Sequence, residues 1–117
     1  VTKYETTFIL EPGVDEGRVN EEVERVTGWI KDLGGEVLEV QRWGKRRLAY
    51  EIRRKRDGIY TWILHQGRGG QVREVERRIR LNESVMRVLT VVHVPPELTQ
   101  AKVDADAVAV GEDSGDE

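Results

Sequence analysis

Val19, Val23, Val26, Ile30 and Leu33 recur at steps of four, three, four and three, the spacing that lines up one face of an α-helix. Asp15 stands where an N-cap belongs, and Gly34-Gly35 supplies a stop. An apolar stripe of this kind is stable only when another layer covers it. In 117 residues that layer has to be small. The segments around the stripe supply a sheet. "YETTFIL" precedes it, rich in β-branched and aromatic residues and closed by Pro12-Gly13; "EVLEVQRW" and "LAYEI" follow, with Leu48, Tyr50 and Ile52 on one face and Gly44 between them as a bulge or bend. Asp57-Gly58 reads as a hairpin turn into a third strand, "IYTWILH". Helical spacing returns at Val72, Val75 and Ile79, and "SVMRVLTVVHV" makes a last strand before Pro95-Pro96.

The order βαββαβ predicts an α+β, ferredoxin-like split βαβ sandwich. Right-handed crossovers place both helices on one face of a four-stranded antiparallel sheet and leave the other face open. The expected folded domain runs over residues 1–96, with 97–117 as a tail. On the third strand Ile59, Thr61 and Ile63 alternate with Tyr60 and Trp62. If the first set packs under the helices, Tyr60 and Trp62 lie on the open face, where flat rings can stack bases or meet a partner protein. The opposite assignment makes them core, and alternation by itself does not choose.

Formal net charge is −3, but it is distributed unevenly. Residues 1–41 carry −6, residues 42–87 carry +9 and residues 88–117 carry −6. The last seventeen residues, "AKVDADAVAVGEDSGDE", hold −5 of this, and small residues with like charges predict a disordered, solubilising tail. Positive charge gathers in "WGKRRLAYEIRRKRDG", which has seven Lys or Arg against Glu51 and Asp57. A sheet edge wears charge to block edge-to-edge pairing, and Lys would suffice for that. Arg dominates here, and its planar fork suits phosphates and base edges. The candidate RNA-binding set is Arg42, Lys45, Arg46, Arg47, Arg53, Arg54, Lys55 and Arg56, with Arg80 and Arg87 added from the second helix and last strand.

Other chemistry is poorly provided for. His65 and His93 are the only histidines and Ser84 and Ser114 the only serines, so neither a nucleophilic triad nor a His-rich metal site has the residues to draw on. The expectation is a non-enzymatic protein with no metal and no cofactor. Cys is absent, which fits a reducing compartment. "VTKYETTFIL" lacks the pattern of a secretory signal and no apolar run is long enough to span a bilayer, so the expected location is the cytoplasm and no membrane is expected as a partner. "GRGG" before the second helix lacks the Lys-Ser/Thr ending of a nucleotide loop and reads as a flexible turn. Glu21, Glu22 and Glu24 read as the solvated face of the first helix.

Gly44, the pair Arg46-Arg47, then Leu48, Ala49, Tyr50, Ile52 and Arg53 resemble the signature of the bacterial small-subunit ribosomal protein family numbered six. Tyr4-Glu5, Trp43 and "RLNESVMRV" extend the likeness over residues 2–96. Glu51 departs from it, since the family often has Pro there. The resemblance implies the same βαββαβ sandwich. It further implies a structural role on the ribosome: binding the central domain of small-subunit ribosomal RNA together with the small-subunit ribosomal protein numbered eighteen, with Tyr60 or Trp62 in the protein contact. The other reading is a free-standing ferredoxin-like interaction or regulatory module.

Overall fold

The computed structural model describes residues 2–94. Its elements are β1 (Thr2–Leu10), α1 (Glu16–Asp32), β2 (Glu36–Ile52), β3 (Lys55–Gly67), α2 (Gly69–Arg80) and β4 (Val85–Val92). The sheet is antiparallel throughout, in the order β2-β3-β1-β4, and both helices cover one face. This is the predicted split βαβ sandwich. Pro95-Pro96 and the acidic tail lie outside the described residues.

Asp15 caps α1 by accepting from the Arg18 N–H at 2.8 Å, which satisfies one of the helix's free N–H groups. The stripe then meets the sheet: Val19, Val26 and Ile30 are buried with Phe8, Leu10, Ile63, Val75, Ile79 and Val85, while Val23 and Leu33 pack at the margin. His65 lies fully inside this layer. Its Nε2 is 2.7 Å from Thr6 Oγ1, which in turn is 3.0 Å from Thr90 Oγ1, so a polar rung links β3, β1 and β4.

Three expectations need correction. First, Asp57 and Gly58 are not a turn. They pair with Arg47 and Arg46 inside the hairpin, which closes at Arg53-Arg54, both at positive φ (53° and 64°). Gly58 is needed for a different reason: a Cβ there would come within 2.3 Å of Ile9 Cγ2, so the hairpin crosses β1 at a distance only glycine allows. Second, Glu22 is 1 % exposed and not on a solvated face. It sits three residues after Val19 and four before Val26, on the stripe itself. Its carboxylate accepts from Arg18 Nε at 2.7 Å and Asn82 Nδ2 at 2.5 Å, which ties α1 to the α2–β4 loop. Third, "GRGG" is no flexible turn, since Gly67 ends β3 and Gly69-Gly70 begins α2, with the Arg68 N–H donating to Gln71 Oε1 at 3.1 Å. Gly44, in contrast, is the expected bulge, at φ +78° where the β2–β3 register shifts.

Candidate nucleic-acid interface

β1 pairs with β3 only from Ile59 onward, so the rest of the hairpin, Lys45–Gly58, runs past the body of the sheet. Its tip is tied back at one point. Arg53 donates to Glu83 O at 2.9 Å and to Val85 O at 3.0 Å, and its guanidinium pairs with Glu11 at 2.9 Å. With one side chain satisfying two backbone carbonyls, the basic hairpin is held against the start of β4.

The ten candidate cations divide by what they already touch. Arg53 is occupied as described. Arg42 points to the helical side, where it pairs with Glu16 at 2.9 Å and donates to Asn20. Arg46 lies 5.2 Å from the ring centre of Trp43, a cation–π contact. Arg56 is 3.4 Å from Glu51, and Arg80 is 3.3 Å from Glu76. Arg87 donates to the Tyr50 hydroxyl and lies over its ring. Lys45, Arg47, Arg54 and Lys55 have no side-chain partner among the described residues. They are the cations left free for an outside anion. Arg53, Arg80 and Arg87 also share one cleft of about 290 Å³ with Val85, Met86 and Val88, so the helix and strand cations do join the hairpin base. Elsewhere on α2 the charge is internally matched: hydrogen bonds from Arg77 and then Arg78 hold the Glu74 carboxyl down at about 2.

Tyr60 and Trp62 lie on the open face, which settles the alternative left by the alternation. Ile63 and Thr61 are buried on the helical side, while Tyr60 packs with Ile9, Leu48, Ile52 and Met86 in a second, helix-free cluster. Tyr60 stacks on Trp43 with centroids 6.3 Å apart, and Trp62 Nε1 donates to Glu5 Oε1 at 3.2 Å. The same carboxylate reaches His93 through its other oxygen, at 2.7 Å. Beside Tyr60 runs an apolar groove of about 240 Å³ lined by Ile9, Leu48, Tyr50, Ile52 and Leu89. Tyr50 is 59 % exposed and Leu89 53 %. Sequence reasoning passed over Leu89 and Val91 as part of a plain strand. Their signal was alternation with Arg87 on β4, which puts all three on the open face once β4 is known to be an edge strand.

Among the described residues no group of His, Asp or Glu is placed to hold a metal ion, and no helix is long and apolar enough to cross a membrane. The sequence matches the family model described as Ribosomal protein S6 over residues 3–92, nearly the whole sandwich. The chain belongs to the ribosomal protein S6 family. It is 43 % identical over 110 residues to small ribosomal subunit protein bS6 of Synechocystis sp., covering 94 % of this chain and 96 % of that one. Against bS6 of Rippkaea orientalis the identity is 45 % over 87 residues, with 74 % and 70 % of the two chains covered. The crystal structure of 30S ribosomal protein S6 from Thermotoga maritima superimposes with a TM-score of 0.77 at 32 % identity, over 88 % of this chain and 97 % of that one. Membership of the S6 family therefore rests on both sequence and fold.

Proposed function

We propose that this S6-family chain is a non-enzymatic structural component of the small ribosomal subunit in the cytoplasm, binding the central domain of small-subunit ribosomal RNA together with the small-subunit ribosomal protein numbered eighteen. The observation that carries the RNA part is the set of unpartnered cations, Lys45, Arg47, Arg54 and Lys55, on a hairpin that projects past the sheet. Phosphate contacts by such residues release counterions and fix position on the RNA. Folded RNA is recognised largely by shape, so a rigid hairpin anchored by Arg53 suits the task better than a loose basic loop. The open-face groove beside Tyr60 and Trp62 supports the protein half of the proposal, because exposed aromatic and aliphatic side chains of this kind form the centres of protein interfaces.

The test is a titration of a central-domain ribosomal RNA fragment with this protein alone and with the eighteen-numbered protein present. Binding weak alone and much tighter with the partner supports the proposal. Equal affinity in both titrations removes the joint-binding claim, and no binding in either removes the RNA claim.

A further inference from the structure

We propose that the acidic segment 104–117 of this same chain occupies the basic hairpin in the free protein, so that RNA has to displace it; the displacement clause rests on the RNA reading above, while the tail contact does not. The hairpin holds four cations without partners, Lys45, Arg47, Arg54 and Lys55. The nearest unspent anionic charge in the chain is Asp104, Asp106, Glu112, Asp113, Asp116 and Glu117, opposed by no cation after Lys102. Other surfaces fit this segment poorly. The outer side of α1 is itself acidic, with Glu16, Glu21 and Glu24, and the arginines of α2's last turns are matched to Glu74 and Glu76.

Geometry allows the contact. Val92 pairs with Tyr4 at one end of the sheet, whereas Val85, which accepts from Arg53 of the hairpin tip, lies at the other. Eight residues of β4 separate these ends, or about 27 Å at the usual strand rise. Residues 95–103 intervene before the first acid, and ten peptide steps from Val94 to Asp104 reach about 33 Å when extended. The first carboxylate thus arrives at the hairpin and the rest have chain to spare. A flexible segment of this length has a root-mean-square span of about 25 Å, close to the distance required, so the effective concentration of tail at the hairpin is in the millimolar range. Such a contact is electrostatic and is screened by salt.

The protein has no Cys, so Ser114→Cys gives a single attachment point for a spin label. In the labelled full chain without RNA, amide signals of Lys45–Lys55 are expected to broaden at low salt and recover at high salt, while those of Val72–Ile79 stay sharp. Uniform broadening, or none, overturns the proposal. A second arm compares the full chain with a chain ending at residue 100 in binding the central-domain RNA fragment. The shortened chain is expected to bind several-fold tighter at low salt, with the difference vanishing at high salt; equal affinity at low salt overturns displacement. If neither chain binds RNA while the hairpin amides still broaden, the tail contact stands and the RNA reading fails.

Discussion

The Arg53 guanidinium donates from Nη2 to the carbonyl oxygen of Val85 at 3.0 Å, across 32 residues of sequence. This bond joins the tip of the basic hairpin to the first residue of β4, and it explains how two consecutive arginines can hold positive φ. Left-handed backbone costs an L-residue about 1–2 kcal/mol. At Arg53 the hydrogen bonds to Glu83, Val85 and Glu11 offset that cost. At Arg54 nothing on the side chain does.

The two turn positions should therefore respond in opposite directions. Arg53→Gln removes charged donors from two carbonyls and should lower stability by about 1–2 kcal/mol. Arg54→Gly relieves left-handed strain and should raise it by about 1 kcal/mol. Urea midpoints of both variants against the parent check this, and a stabilised Arg53→Gln would show that the tip is not anchored as described.

Glu22 makes a second long-range tie. Glu22→Ala leaves the Asn82 amide and the Arg18 guanidinium without their shared acceptor, beside a buried void. The expected loss is about 2–3 kcal/mol, far above the roughly 0.5 kcal/mol typical of a solvated helix position. Glu21→Ala, one residue away, serves as the control in thermal melts.

His65 predicts a pH dependence. Burial pushes its imidazole below the ordinary 6.5, because the charged form loses solvation inside the helical layer. In the unfolded chain the group titrates normally, so the unfolded state binds the extra proton first as pH falls. Its contribution is complete above about 6.5 and declines as pH drops from there toward the lowered folded value. Stability measured by urea between pH 8 and 5 should fall across that window, and His65→Gln should flatten this part of the profile.

Much of this architecture was legible because it is periodic. The α1 stripe, the βαββαβ order and the Gly44 bulge follow from local spacing, and local spacing survives in one dimension. The hairpin turn did not, because Arg53-Arg54 has no turn signature of its own. Its conformation depends on carbonyls at Glu83 and Val85, and Asp57-Gly58 offered a more familiar decoy. Glu22 was misread for a similar reason: a carboxylate on a helix looks solvated until Asn82, 60 residues later, is seen to cover it. The basic cluster was visible in composition. Which of its members are free was not, since Arg42 and Arg53 have partners that only the fold brings near.

That division of labour among the cations can be measured through salt. If Lys45, Arg47, Arg54 and Lys55 face phosphate, changing all four to Gln should weaken binding to the central-domain RNA fragment and flatten the slope of log affinity against log salt. Each lost contact changes the slope by about 0.7 on single-stranded phosphate and about 0.9 on duplex DNA, so even two are measurable. The fold should persist, since none of the four is buried or bonded to another element, and circular dichroism checks it. Arg42→Gln gives the contrast. Its guanidinium is engaged by Glu16 and Asn20 on the helical side, so the slope should barely move. Under plain edge protection the fourfold variant would aggregate sooner and bind RNA with an unchanged slope. A further control at Glu21 and Glu24, on the acidic side of α1, separates local contact from general attraction: if Gln there shifts the slope as much as the hairpin variant does, binding is diffuse and the assignment to this hairpin is wrong.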